Sequence, residues 1–324
     1  MKQADWRPLA PLAVLRERAA LIARAREFFA ARGVLEVDTP LLVNAPVTDP
    51  HLHSAGVRLA APGARAPRLY LHTSPEYAMK RLLAAGSGDI YQICHVVRAG
   101  ERGRLHHPEF TLIEWYRIGF SLGALMDEVE ELVRALLGPA AISRRGERLG
   151  YRDAFLRELG LDPLTASAAE LARAAAPLGL SSRSRERDEL LELLMGAIVG
   201  PRLGRGALTF VHGYPASQAA LARLDPGDRR LALRFELYSD GIELANGFEE
   251  LAAAPEQRAR FARDRAERRR RHLPATAADE RLLAALASGL PDCAGVALGF
   301  DRTLMLALHA AHIDDVLAFP IERA

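Results

Sequence analysis

Residues Arg98 to Tyr116 read RAGERGRLHHPEFTLIEWY. The pattern predicts a strand over Asp89–Val97, a charged loop and a second strand. In the second strand Phe110, Leu112, Glu114 and Tyr116 share one face, and Thr111, Ile113 and Trp115 the other. Ordinary hairpin loops are short and rich in Gly, Asn or Asp. This one carries Arg98, Glu101, Arg102, Arg104, His106 and His107. Fixed donors grouped around a space are what a polyphosphate requires.

Two further stretches carry chemistry. Gly295–Leu308, GVALGFDRTLMLAL, reads as an apolar strand, Gly299, Asp301-Arg302 and an apolar helix. Gly299 lets a ligand approach the backbone. Arg302 at a helix start gains nothing from the helix dipole, so its placement predicts an anion opposite it. Phe235–Leu251, FELYSDGIELANGFEEL, reads as two strands joined by a tight turn at Ser239-Asp240-Gly241. That turn places Glu236 and Glu243 on neighbouring strands, where two carboxylates repel and a cation between them is favourable. His51 and His53 lack a third ligand nearby, and Cys94 and Cys293 lack metal-ligand spacing.

The loop and the strand-Gly-x-Asp-Arg stretch, in this order, resemble motifs 2 and 3 of the class II aminoacyl-tRNA synthetases. The lysyl branch is the specific match: its HNPEF stands here as HHPEF, and its motif 3 as ALGFDR. The resemblance implies an ATP site built from Arg98, Ala99, Gly100, Glu101, His106, His107, Phe110, Glu243, Leu244, Gly299 and Arg302. Within it Arg98 holds the substrate carboxylate and α-phosphate. Phe110 stacks on adenine, and Arg302 covers the other adenine face and reaches the γ-phosphate; Arg98 and Arg302 are the catalytic pair. Guanidinium groups suit both tasks. The resemblance places Mg²⁺ on Glu236 and Glu243. It also implies an amino-acid pocket of Ser74, Pro75, Glu76, Tyr116, Asn246, Phe248 and Glu250, with Glu76 on the amino group nearest the carboxylate and Glu250 and Tyr116 on a distal ammonium. Two acids and Arg98 balance a diamino acid. Two positions depart from the family. Arg98-Ala99-Gly100 replaces Arg-Asn-Glu, which moves the adenine amino contact to Glu101 or to backbone, and His107 replaces an Asn.

The motif-1-like helix begins near Leu15, leaving no room before it for the anticodon-binding domain of a lysyl-tRNA synthetase. The resemblance is therefore to the short lysyl-branch paralogues. It implies ATP-dependent ligation of (R)-β-lysine or lysine, through an aminoacyl adenylate, to a lysine ε-amine of elongation factor P, without anticodon recognition. Ser74, where lysyl-tRNA synthetases carry Ala, is where a shift from α- to β-amino acid is expected. A stand-alone synthetase charging tRNA or another amine stays open, as does an inactive synthetase-like binding protein. Retained Arg98, Glu243 and Arg302 oppose the latter. An asparagine synthetase of this fold would prefer a cationic pocket, unlike Glu76 and Glu250.

The elements that must position these groups follow from periodicity. Leu15–Arg32 is an amphipathic helix stopped by Gly33, and Gly33–Leu42 a strand ending at Pro40. This resembles motif 1 and implies a homodimer through Leu15–Leu42. Residues 60–67 read as loop, Leu69–His72 as strand, and Thr73-Ser74-Pro75 as a helix cap. Ser121–Leu137 is helical. From about 138 to 206, short helices with Pro, Gly and Arg joints form an insertion in one catalytic domain spanning 1–324. Ala207–His212 and Arg230–Phe248 return to strand, followed by a basic helix Glu256–His272 and a helix Ala277–Ser288. The expected class is α/β: a mostly antiparallel sheet flanked by helices, with no regular strand-helix alternation. Across 324 residues, 43 Lys and Arg oppose 41 Asp and Glu, so no charge excess points to nucleic acid. No apolar run is long enough to span a bilayer, no signal-peptide order is seen, and unpaired cysteines fit a reducing cytoplasm.

Overall fold

The computed structural model describes residues 6–59, 68–138, 142, 144–179 and 186–324; the loop expected at 60–67 lies outside them. The chain forms two compact units. The first begins with α1 (Leu12–Ala30), β1 (Leu35–Glu36), β2 (Leu42–Val43), β3 (Gly56–Arg58), β4 (Arg68–Leu71), α2 (Glu76–Ala84), β5 (Ile90–Val97) and β6 (Glu109–Ile118). The second holds α3 (Leu122–Leu137), β7 (Glu147–Gly150), α4 (Tyr151–Leu159), α5 (Ala168–Ala175), α6 (Arg187–Leu194), β8 (Thr209–Pro215), β9 (Leu231–Ser239) and β10 (Ile242–Glu249). The chain returns to the first unit with α7 (Ala254–Arg270), α8 (Glu280–Gly289), β11 (Cys293–Gly299) and α9 (Phe300–Ala307), although residues 293–296 of β11 belong to the second.

In the first unit the strand order is β1-β5-β6-β11, with a separate β2-β4-β3 sheet. β5 and β6 are antiparallel, with Gln92 opposite Glu114 and Val96 opposite Phe110. The expected alternation is what splits β6 into two working faces. Thr111 and Trp115 meet α1, where Phe29 stacks on Tyr91 at 4.3 Å and meets the Trp115 ring edge-on at 5.3 Å. Leu21, Ala25 and Phe29 recur at helical spacing along the buried face of α1. Losing a ring such as Phe29 from this core costs about 3–5 kcal/mol. The other face of β6, with Phe110, Glu114 and Tyr116, is left for chemistry.

The strand expected over Gly33–Leu42 is broken in two. Val37 still donates to Tyr91 O at 2.8 Å, but Thr39 N–H goes to the Gln92 side chain at 3.1 Å. Pro40 has no N–H to offer a ladder. The chain leaves the β5 edge there and reappears as β2 in the smaller sheet, opposite β4.

In the second unit the order is β11-β10-β9-β8-β7. β8–β9 and β9–β10 are antiparallel, and β7–β8 parallel. The tight turn forms as expected, with Asp240 and Gly241 at φ of 47° and 76°. The 138–206 stretch is not helix alone: β7 adds an edge strand beside β8. Its helices bury Tyr151, Phe155, Leu171, Leu190 and Leu194 against Val211 and Tyr214 of β8, so this segment shares one core with the strands. At Gly247 a Cβ would fall 2.6 Å from the Phe235 ring, which is why the middle of β10 carries no side chain there.

Candidate active site

The hairpin loop between β5 and β6 opens with a turn. Gly100 has φ of 87°, and Glu101 N donates to Arg98 O at 3.4 Å. A glycine at this point takes a left-handed conformation that Asn or Glu would adopt at a cost, which accounts for the Ala99-Gly100 departure. Ala99 N donates to His53 O at 2.8 Å, so its amide is committed to the protein.

Arg98 donates from Nε to Thr73 O at 3.3 Å, lies 3.9 Å from Glu101 and sits 5.0 Å over the Phe110 ring. Its Nη atoms make no hydrogen bond among the described residues. Arg302, in the first turn of α9, donates from Nε to Leu105 O at 3.1 Å and from Nη2 to His106 Nε2 at 2.8 Å. Burial, then Arg302 and Arg98, push the His106 imidazole down to about 4. A ring kept neutral between two guanidinium groups marks a spot where positive charge converges and an anion is favoured.

The loop's other charges do not join this cluster. Arg102 pairs with Asp314 at 2.6 Å and Glu322 at 2.8 Å, and Arg104 reaches Ala311 O at 3.4 Å. His107 is buried, with both ring nitrogens on backbone: Ile321 N donates to Nε2 at 2.9 Å and Nδ1 lies 2.5 Å from Glu109 O. The His107 side chain therefore has no polar atom left for a nucleotide, and any contact it makes is through backbone. Asp301 is 1 % exposed; it accepts from Thr111 N at 2.7 Å and pairs with Arg18 of α1. It aligns α9 on β6. Gly299 has φ of −70°, open to any residue, so the reason for a glycine there is not conformational.

The face of β6 left bare by α1 holds a second group. Ser74 Oγ accepts from Glu76 N at 3.0 Å, capping α2 beside Pro75, and donates to Glu114 Oε2 at 2.7 Å. Tyr116 donates to Glu114 Oε1 at 2.8 Å. Glu114 and Tyr116 are each 2 % exposed. Glu76 accepts from buried Lys80 at 2.6 Å. Glu114 was not among the sequence-predicted residues, although a carboxylate between Leu112 and Tyr116 on the non-core face was its signal. Two hydroxyl donors fix the orientation of this carboxylate, whose remaining acceptor sites suit an ammonium. The nearby Cys94 thiol is pushed up to about 12, first by burial and then by Glu114, which leaves it inert.

In the second unit Glu236 and Glu243 share a face of β9 and β10, one diagonal step apart: Asn246 is opposite Glu236 and Tyr238 opposite Glu243. Glu236 is 8 % exposed, accepts from Arg234 at 2.5 Å and from Tyr238 at 2.6 Å. Arg234 also donates to Asn246 Oδ1 at 3.2 Å and Gln218 O at 2.7 Å, and stacks 4.3 Å over Tyr214. Arg234 is thus the cation beside Glu236, a role sequence reasoning gave to metal; its signal was the Arg-x-Glu alternation along β9. A carboxylate has about four acceptor sites, so the two donors on Glu236 leave others open. Among the described residues no group of three or more His, Cys, Asp or Glu converges. Leu244 is the extra residue of a β-bulge with its side chain buried, Phe248 packs against the core of this unit, and buried Glu250 donates its N–H to Cys293 O at 3.0 Å.

Comparison with known proteins fits this geometry. The family model of class II tRNA synthetases (D, K and N) matches residues 3–323. The chain is 52 % identical over 322 residues to the elongation factor P–(R)-β-lysine ligase of Vibrio vulnificus, covering 98 % of each. It is 51 % identical to the ligase of that name from Vibrio cholerae, covering all of both, and 52 % identical to that of Yersinia enterocolitica, covering 99 % of each. A family model spanning almost every residue, with two guanidinium groups converging beside motif 2, leads to one assignment: the chain belongs to the class II tRNA synthetase family (D, K and N).

Proposed function

We propose that this protein activates (R)-β-lysine with ATP and ligates it to the ε-amine of a lysine on elongation factor P. The observation that carries the reading is near-complete overlap, at about half identity, with relatives named for that reaction. The buried Ser74–Glu114–Tyr116 group supports it, since it suits an ammonium-bearing substrate.

In the first step a carboxylate oxygen of the amino acid attacks the α-phosphorus of ATP, and pyrophosphate leaves. Arg98, with its Nη atoms unspent, orients the carboxylate and α-phosphate. Arg302 neutralises charge on the leaving phosphates, held in place by Leu105 O and a neutral His106. Glu76 and Glu114 receive ammonium groups. Glu236 and Glu243 would hold Mg²⁺, which would supply charge neutralisation on phosphate. In the second step the acceptor amine attacks the acyl carbon, AMP leaves and the amine gives up a proton. Catalysis is positioning and electrostatics; no side-chain nucleophile is needed, consistent with the inert Cys94.

The dimer belongs to the same reading. Leu35 and Leu41 are 54 % and 41 % exposed beside the short edge strand β1. A cleft of about 360 Å³ next to them is lined by Thr39, Pro40, His72 and Gln92. Among the described residues Thr39 Oγ1 and His72 Nδ1 are buried there without a hydrogen-bond partner. A second copy would cover the apolar side chains of Leu35 and Leu41. No described helix is long and apolar enough to cross a membrane, and a translation-factor acceptor supports a cytoplasmic location.

Mass spectrometry tests the reaction. Enzyme, ATP and (R)-β-lysine or α-lysine are incubated with elongation factor P or with bulk tRNA. A mass gain on the factor, larger with (R)-β-lysine, is expected. Ester on tRNA with an unmodified factor would give the stand-alone synthetase instead.

A further inference from the structure

The loop between β5 and β6 is gripped from outside by the end of the chain. Arg102 donates to Asp314 from both Nη atoms, at 2.9 and 2.6 Å, and to Glu322 from Nε and Nη2, at 2.8 and 2.9 Å. Ile313 N donates to Arg104 O at 2.9 Å, and Ile321 N to His107 Nε2 at 2.9 Å. Because Nε2 accepts, the His107 proton sits on Nδ1 and is donated to Glu109 O. The tip is closed by Gly103 and His106, which exchange backbone hydrogen bonds at 3.0 and 3.2 Å. Leu105 O and the His106 side chain face Arg302 instead and orient its guanidinium.

Residues 102, 104 and 107 thus bind the tail while 105 and 106 bind Arg302. Charged loop tips are ordinarily mobile. A guanidinium that must meet phosphate gains from being held in place beforehand. Forked pairs fix orientation as well as distance.

We propose that the segment Ile313–Ala324 is a clamp that keeps the loop in its nucleotide-binding shape. Arg102 and His107 are positioning residues that act on ATP through Arg302. The inference rests on the ATP role given to Arg302 above and adds the C-terminal segment to that machinery.

Calorimetric titration of ATP into the full-length enzyme, without amino acid or acceptor, tests it. Arg102→Ala should weaken ATP binding about tenfold, Glu322→Gln about threefold, and Arg102→Lys should fall between wild type and Arg102→Ala. The KM for (R)-β-lysine in pyrophosphate exchange should stay within about twofold, and the melting temperature close to wild type. Glu322 is exposed, so its variant remains informative if an Arg102 variant folds poorly. Unchanged ATP affinity in every variant overturns the clamp. So does a parallel fall in ATP affinity, amino-acid affinity and melting temperature, which marks general support of the fold. A wild-type enzyme that binds no ATP overturns the role of Arg302 itself, and that result is read separately from the variants.

Discussion

Ser74 differs from the alanine usual in lysyl-tRNA synthetases by one oxygen, and that oxygen donates to Glu114 at 2.7 Å. Removing it leaves Glu114 with one fewer donor and a wider pocket beside Glu76. Ser74→Ala is expected to shift preference from (R)-β-lysine toward α-lysine by on the order of tenfold in the ratio of kcat/KM, the scale of one buried hydrogen bond. Pyrophosphate exchange with each isomer measures the ratio, and an unchanged ratio would remove Ser74 from isomer selection. His106 gives a pH prediction. Its folded value of about 4 lies below the ordinary 6.5. Between those values the unfolded chain binds the extra proton and the folded chain does not. Stability therefore weakens as pH falls from 6.5 toward 4, and the contribution is constant below that. His106→Gln lacks this loss, so the stability gap between wild type and variant should move in the variant's favour from neutral pH to about 5. Denaturant unfolding at each pH reads it; a constant gap would mean that the ring is not held neutral.

At the scale of elements, α1, β6 and α9 are joined by one ion pair. Asp301 at the start of α9 reaches Thr111 N of β6 and Arg18 of α1, and Arg18 Nη2 donates to Thr111 Oγ1 at 2.7 Å. The Asp301 side chain is 2 % exposed and that of Arg18 19 %. Removing one partner strands a buried charge. Asp301→Ala should cost about 3–5 kcal/mol in urea unfolding, and adding Arg18→Met should restore much of it. A loss below about 1 kcal/mol would show the pair to be a solvated contact. The basic helix α7 illustrates the opposite case. Arg258 pairs with Glu280, Arg260 with Glu256, and Arg270 and Arg271 with Glu267. Much of its positive charge is answered within its own unit, which argues against a wholly basic docking face.

For the whole molecule, the dimer is the expectation that matters most. Replacing Leu35 and Leu41 with Glu places charges on exposed positions, so a single chain should tolerate them, while an isologous contact through the same patch should not. Light scattering should give twice the chain mass for wild type and the chain mass for the double variant. A wild type that is a single chain at micromolar concentration ends the dimer reading.

Much of the site was legible because it is local. The two faces of β6, the turn at Asp240-Gly241, the cap at Ser74 and the strand-to-helix passage at Gly299 follow from period, turn chemistry and capping within a few residues. Arg302 stood out because a cation at a helix start gains nothing from the dipole, and Arg98 because it opens a loop crowded with donors. What sequence could not decide were partners far apart in the chain. Arg102 looked like part of a phosphate cluster, yet Asp314 and Glu322 take it. His107 left side-chain and backbone roles open, and the Ile321 N–H, more than two hundred residues on, takes its Nε2. Residue type and spacing determine which groups are charged and which way a strand turns them. Only the tertiary structure decides which charges are already neutralised, because a side chain bonds to whatever packing brings within about 3 Å, however distant in the chain.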